Sequence, residues 1–334
     1  MDPATRQHEY DAIKSGAGIR LLEDRLLVRV SGDDSISFMH GMCSADIKSL
    51  EPGRLARALF LTERAHVIAD CYIYALHDQA LWLEVERARW AVIRENLERF
   101  LVADDVELEE LESCGLLDIE GPRSPAAMAE FAGEAVRELA PWQHLERDGV
   151  WIARLPRYGE PAFTLIAEHT RLAAVAAQIQ RSSPEICELH RPTLEIIRIE
   201  NGLALIGLDT NERTLALEAR LESAIAFNKG CYVGQETIER ATAHGSLKRR
   251  LYGLQIAADE IPSPGALIQL EGKEVGRLTS VARSPAAGVI GLGILHHSAW
   301  AAGTRVSIVD GKGVHSGSVC DLPFRPSPAA ASRV

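Results

Sequence analysis

The stretch Arg25-Leu26-Leu27-Val28-Arg29-Val30-Ser31-Gly32-Asp33-Asp34-Ser35 changes character half-way along. Its apolar, β-branched first half predicts a strand over Arg25 to Val30. Ser31 to Asp34 predict a turn ending in an N-cap, and Ser35 to Met42 a short helix. The same grammar returns 89 residues later: Leu116-Leu117-Asp118-Ile119 reads as a strand, Gly121-Pro122-Arg123-Ser124 as a turn, and Pro125 to Phe131 as a helix. Gly32 with Gly121, Ser35 with Ser124 and Met39 with Met128 align at that one offset. The match fits an internal duplication, and it fits equally a chance pairing of two generic strand-turn-helix pieces.

Outward from these anchors, Leu55 to Leu61, His66 to Leu76 and Leu81 to Glu86 have the composition of a strand meander. Glu86 to Val102 follows with Trp90, Ile93, Leu97 and Leu101 on one stripe, which marks an amphipathic helix laid on that sheet. A strand at Ala162 to Ala167, a helix at Thr170 to Gln180 and another from Pro192 to Asn201 come next, the last closed by Gly202 as a left-handed C-cap. After Arg250 the texture changes. Tyr252 to Ile256, Ala266 to Leu270, Glu274 to Ala282, Gly288 to Leu295 and Arg305 to Val309 are short strands divided by Gly and Pro, and read as a small closed β-barrel. The expected class is α+β, with mixed-sheet amino-terminal lobes and a C-terminal β-barrel. The expected divisions are 1–112, 113–247 and 248–326, with a frayed tail at 327–334.

Length and composition agree with that plan. At about 150 residues per domain, 334 residues make two or three domains. Thirty-six basic against 47 acidic residues give a net charge of −11, which argues against a nucleic-acid clamp, since phosphate binding needs clustered Lys and Arg. Ser284 to Thr304 lacks Asp, Glu, Lys and Arg, but Pro285, four glycines and His296-His297 interrupt it, so no membrane span is expected. The amino terminus has no apolar h-region and carries Asp2, Glu9 and Asp11; a cytoplasmic location is the expectation. Cys43, Cys71, Cys114, Cys187, Cys231 and Cys320 stand alone, with no CxxC spacing. They read as reduced thiols, and no zinc or cluster site made wholly by this chain is expected.

Chemistry concentrates in Asn228-Lys229-Gly230-Cys231-Tyr232-Val233-Gly234-Gln235-Glu236. Gly230 and Gly234 free the backbone for a tight turn or the close approach of a ligand. The run from Gln235 to Arg240 opens a helix, so backbone N–H groups are expected near Cys231. With Lys229 two residues away, both fields favour thiolate over thiol. On spacing alone, an inert packing cysteine is the commoner outcome.

Lys229-Gly230-Cys231-Tyr232-x-Gly234-Gln235-Glu236, followed by Arg240 and Gly245, resembles the signature of the YgfZ-type folate-binding proteins, relatives of the glycine-cleavage aminomethyltransferase (T-protein). The resemblance covers nearly the whole chain. Upstream, Gly16-Ala17-Gly18, Val30-Ser31-Gly32-Asp33-Asp34, Phe38-Met39-His40-Gly41 and Ala45-Asp46-Ile47 are similar to that superfamily's amino-terminal run. Downstream, Gly276-Arg277-Leu278-Thr279-Ser280, Ile290-Gly291-Leu292-Gly293 and Leu322-Pro323-Phe324 are similar to its barrel.

The resemblance implies a three-lobed ring with tetrahydrofolate, or a derivative, in a central hole. It puts Glu200 on the amino-pyrimidine face of the pterin, where a carboxylate accepts two hydrogen bonds; a plain helix end is the alternative. Lys229, Gly230, Tyr232, Gly234, Gln235, Glu236 and Arg240 become the other cofactor-binding positions. The stretch Glu63-Arg64-Ala65-His66-Val67-Ile68-Ala69-Asp70 aligns with the T-protein catalytic strand, whose two glycines and one of whose two Asp residues are missing here. Asp70 is the remaining catalytic carboxylate, or a structural partner. That departure puts glycine-cleavage methyl transfer in doubt, as does Cys231, which T-proteins lack. Lys248-Arg249-Arg250 is either a basic rim for a polyglutamate tail or a solvated linker, and His66, His296 and His297 read as surface or packing residues.

The expected function is therefore a tetrahydrofolate-binding protein that assists assembly or repair of iron–sulfur clusters in client enzymes, with Cys231 and Asp70 as the reactive residues. Its partners would be the folate and iron–sulfur client or assembly proteins, without nucleic acid or membrane. The alternative is a folate-dependent aminomethyltransferase or demethylase moving a one-carbon unit to tetrahydrofolate.

Overall fold

A computed structural model describes residues 2–159, 161–244 and 247–324. The expected frayed tail and Gly245 lie outside the described residues. The chain divides into two compact units. One holds the chain up to Arg64, Ile68–His190 and Ser223–Gln235; the other holds Ala65–Val67, Arg191–Glu222 and the chain from Glu236 on.

The first unit opens with α1 (Pro3–Ser15), capped by the Asp2 carboxylate on the Ala4 and Thr5 amides, and β1 (Gly18–Leu21). Then come β2 (Arg25–Ser31), α2 (Ser35–Met42), β3 (Leu55–Leu61), β4 (Val67–Ala75), β5 (Leu81–Glu86), α3 (Trp90–Phe100) and β6 (Glu107–Glu110). The pattern repeats as β7 (Cys114–Glu120), α4 (Ser124–Ala132), β8 (His144–Arg147), β9 (Val150–Ala153), β10 (Ala162–Glu168), α5 (His169–Ser182) and β11 (Cys187–Glu188). The strand orders are β3-β4-β5-β2-β6 in one sheet and β8-β9-β10-β7-β1-β11 in the other. Strand for strand the two orders correspond, with β1 inserted before the last. Topology thus decides for duplication over chance.

Both copies leave their first strand through a glycine that nothing else replaces. Gly32 has φ +106° and Gly121 φ +113°, and an added Cβ would lie 2.1 Å from the Asp105 carbonyl oxygen or 2.6 Å from that of Gly16. A side chain is excluded on both counts.

Period-two alternation sorts the side chains into layers. Val28, Val30, Ala69, Cys71, Ile73, Leu83 and Val85 pack with Phe38, Met39 and Met42 of α2 and Trp90, Ile93 and Leu97 of α3. In the second sheet, Leu117, Ile119, Phe163 and Leu165 pack with Met128 of α4 and Leu172, Val175 and Ile179 of α5. The opposite faces meet each other, through Leu27, Leu55, Tyr72 and Tyr74 from one sheet and Leu116, Ala153 and Ile166 from the other. The unit is a helix, sheet, sheet, helix sandwich.

In the second unit α6 (Arg191–Glu200) is followed by a long irregular segment, then by most of α7 (Gln235–His244). The barrel comprises β12 (Arg249–Ala257), β13 (Leu267–Leu270), β14 (Lys273–Ser284), β15 (Gly288–His296), β16 (Arg305–Asp310) and β17 (Gly313–Cys320), closed in the order β12-β15-β14-β13-β16-β17. Leu254, Ile268, Leu278, Leu295, Ile308 and Val319 fill it. The sequence reading misses β17, whose Gly-Val-His-Ser-Gly-Ser-Val-Cys carries little strand propensity. Barrel closure supplies what propensity does not, because β17 pairs along both edges, with β12 and with β16. The reading also misses the hairpin β8–β9, whose Asp148-Gly149 turn at φ +52° and +75° is the type favoured by that dipeptide.

Candidate functional site

The cysteine motif is seated on the end of α2. The Lys229 side chain is buried, with 8% of the residue exposed, and its ammonium donates to the carbonyl oxygens of His40 (2.5 Å), Cys43 (2.7 Å) and Ala45 (2.8 Å). These carbonyls cluster where α2 ends, so a cation there meets both orphan acceptors and the negative end of the helix dipole. The Tyr232 ring lies 4.8 Å from the ammonium, and the Val233 amide donates to the Gly41 carbonyl at 3.1 Å. Further back, the Ser44 hydroxyl donates to Ala224 O, while the Ala226 amide donates to Ser44 O. Burial lowers the Lys229 pKa below its ordinary value, against the pull of Cys43 and Asp46. Burial pushes the Cys43 thiol up to about 11.

Cys231 stands exposed between these clamped neighbours. The sequence reading aims the Lys229 charge at Cys231; the structure aims it at three backbone carbonyls instead. Gly234 takes φ +90°, the turn that its glycine suggests, and the Gln235 side chain accepts from the Tyr232 amide at 3.3 Å as α7 begins. Glu236 and Arg240 form an exposed ion pair on α7.

Asp70 points from β4 to the inner face of its sheet. Arg57 of β3 donates to its Oδ2 through Nε at 3.0 Å and Nη2 at 2.6 Å. Burial opposes ionisation of Asp70, but Arg57 and Arg25 outweigh it and hold the carboxyl below the usual carboxylate range. Behind it lies a network that the sequence reading did not find. Glu84, fully buried, accepts from Arg25 Nε and Arg157 Nη1, each at 2.8 Å, and from the Tyr74 hydroxyl at 2.9 Å. Arg157 also donates to Asp118 at 2.8 Å, and Asp118 accepts the Thr164 hydroxyl at 2.6 Å. Burial disfavours the Glu84 charge, yet Arg157 and Arg25 keep its pKa below the ordinary value. Asp70 and the Cys231 loop rest on different elements, the former on β3 and β4, the latter on α2.

Glu200 belongs to the second unit. It is the last residue of α6, 5% exposed, and its Oε1 accepts the Ser284 hydroxyl at 2.5 Å. Ser284 in turn accepts from the amides of Ala286 and Ala287. Gly202 turns the chain with φ +67° and its amide donates to Ile199 O, as the C-cap reading expects. Two residues before Glu200, Arg198 donates to Asp209 and Ser280 at 2.6 Å each. Arg249 and Arg250 pair with Glu218 and Glu222. His66 bridges to Leu215, and His296 contacts the Ser298 hydroxyl at 3.0 Å. Among the described residues no group of three or more His, Cys, Asp or Glu side chains is placed to hold a metal ion, and no helix is long and apolar enough to cross a membrane.

Residues 3–229 match the GCVT N-terminal domain model, and residues 249–325 match the glycine cleavage T-protein C-terminal barrel domain. The chain belongs to the GCVT family. Among relatives of this GCVT-family chain, a putative chloroplastic transferase of Arabidopsis thaliana is 29% identical, over 96% of this chain and 75% of its own. The tRNA-modifying protein YgfZ of Sodalis glossinidius is 25% identical over 75% of each. The crystal structure of glycine cleavage system aminomethyltransferase T from Bartonella henselae shares the fold, with TM-score 0.89 at 22% identity, over 97% of this chain and 91% of that one. The α+β class with a terminal barrel is thereby shown.

Proposed function

We propose that this GCVT-family chain binds tetrahydrofolate or a derivative, and uses the Cys231 thiol to assist assembly or repair of iron–sulfur clusters in client enzymes, with the cytoplasm as its expected compartment. The observation that carries the reading is the presentation of Cys231: an exposed thiol on a loop whose neighbours Lys229, Tyr232 and Val233 are all fastened to the end of α2. A packing cysteine needs no such mounting.

Glu200 fits the folate. An ionised carboxylate only accepts hydrogen bonds, and one buried to 5% and oriented by Ser284 suits a ring that presents paired N–H donors. In this proposal Gly230, Tyr232, Gly234, Gln235, Glu236 and Arg240 keep their cofactor-binding role, while Lys229 acts by seating the loop. When bound, the folate supplies a one-carbon carrier; the chain holds and orients it. Replacing Cys231 with Ala should leave folding and folate affinity intact and abolish support of a cluster-dependent enzyme in cells lacking the protein. Full complementation by that variant would remove the thiol from the function.

The T-protein domain matches favour a second reading, transfer of a one-carbon unit from an aminomethyl donor to tetrahydrofolate. Asp70 is the carboxylate such a reaction would use, and its two hydrogen bonds to Arg57 hold it ionised. Turnover of a lipoyl-bound aminomethyl group, lost in Asp70→Asn, would establish this reading in place of the first.

A further inference from the structure

Gly230 faces an imidazole. A Cβ added there would meet one group within 4 Å, His40 Nε2 at 3.5 Å, which is ordinary contact. Neither crowding nor a left-handed backbone requires glycine at this position. What the missing side chain does is leave Nε2 open toward the loop, one residue from Cys231.

The ring is built in rather than incidental. The His40 side chain is 10% exposed, and its Nδ1 lies 3.3 Å from Asp46 Oδ1 and 3.4 Å from the Lys48 amide. Asp46 is itself fixed by the Ser49 amide at 3.2 Å and hydroxyl at 2.8 Å. The hydrogen bonds of the ring run through Nδ1, and its Nε2 faces Gly230 of the loop that carries the exposed thiol. The charged groups around the ring are Lys229 from that loop and Asp46 and Lys48 from the segment after α2. Burial and Lys229 hold the imidazole below its ordinary pKa against Asp46, which leaves it neutral and basic near pH 7.

We propose that Cys231 and His40 act as a thiol–imidazole pair across Gly230, with Asp46 orienting the ring. The thiol S–H bond breaks, an N–H bond forms at Nε2, and the resulting thiolate, beside an imidazolium held by Asp46, attacks one sulfur of a client disulfide: a new S–S bond to Cys231 forms as the old S–S bond breaks, and the departing thiolate takes the proton from the imidazolium. This rests on the reading of Cys231 as the reactive thiol and adds its proton acceptor.

The test is alkylation of Cys231 in the full-length protein by iodoacetamide, in which a C–S bond forms and iodide leaves. The rate is followed by mass analysis of the Cys231 peptide between pH 5 and 8. In the wild type the rate falls as His40 is protonated, with its inflection below the ordinary histidine value. His40→Gln removes that inflection and slows the reaction at pH 7 roughly tenfold, a ceiling set by the few per cent of an ordinary thiol already ionised there. Lys229 uses the His40 carbonyl, not its ring, so the loop mounting survives the substitution. Should His40→Gln fail to fold, Gly230→Ala carries the comparison, because its methyl fits the space yet lies 3.5 Å from Nε2 and covers it on the loop side. Equal rates and equal profiles in wild type and variant overturn the proposal. Tetrahydrofolate titration of the same samples is read separately, so failure of the folate reading and failure of the pair give different results.

Discussion

Lys229 donates to the Cys43 carbonyl at 2.7 Å across a separation of 186 residues, and so ties the cysteine loop to the C-cap of α2. With His40 O and Ala45 O as its other acceptors, the ammonium satisfies three carbonyls at once. Lys229→Met keeps the length of the side chain and removes every donor. Leaving buried carbonyls unpaired is expected to cost about 2–3 kcal/mol, measured as a lower urea midpoint, together with faster proteolysis in the loop around Cys231. An unchanged midpoint would show that water replaces the ammonium at no cost.

The charged layer between the sheets behaves differently. Glu84 is shared by two guanidiniums and a phenol, so Glu84→Ala strands Arg25 and Arg157 in a buried setting. Breaking one partner of such a group costs about 3–5 kcal/mol, far more than an exposed pair. Glu236→Ala, which breaks the exposed pair with Arg240, should stay within about 0.5 kcal/mol by the same denaturation assay. Comparable losses in both variants would contradict this assignment of burial.

His144 makes the fold sensitive to acid. His144 is 4% exposed, and its Nε2 lies 3.1 and 3.0 Å from the carbonyls of Arg54 and Ala75. Burial lowers its pKa from 6.5 to about 4. The unfolded chain therefore binds a proton between pH 6.5 and about 4 while the folded chain does not, so stability is full above that window and falls as pH drops through it. The loss attributable to His144 is roughly 3 kcal/mol. Urea unfolding at pH 7 and pH 4.5 should show a smaller difference for His144→Gln than for the wild type; equal differences would exclude His144 as the source.

Strands β2 to β5, β7 and β10, both helices of each copy and most of the barrel were legible because their side chains obey one period at a time, whereas α1, β1, β6 and β11 were not. Leu55–Leu61, Leu81–Glu86 and Ser35–Met42 fall where the pattern puts them. What escaped was set by tertiary context. Glu84 and Asp118 alternate with apolar neighbours like any solvated strand residue, and only the stacking of two sheets makes them a buried network. Sequence proximity favoured Lys229 as a neighbour of Cys231 in field as well as in number, whereas the fold turns its side chain to carbonyls almost two hundred residues away. His40 was quoted for its motif alone; the signal that it matters, an open Nε2 opposite a glycine with no steric reason to be one, exists only in three dimensions.

The most direct measurement is calorimetric titration of the full-length protein with tetrahydrofolate, paired with thermal unfolding. The account predicts saturable binding and a raised unfolding temperature, retained in Cys231→Ala and weakened in Glu200→Gln, where one acceptor becomes a donor. No heat and no stabilisation in the wild type would contradict it.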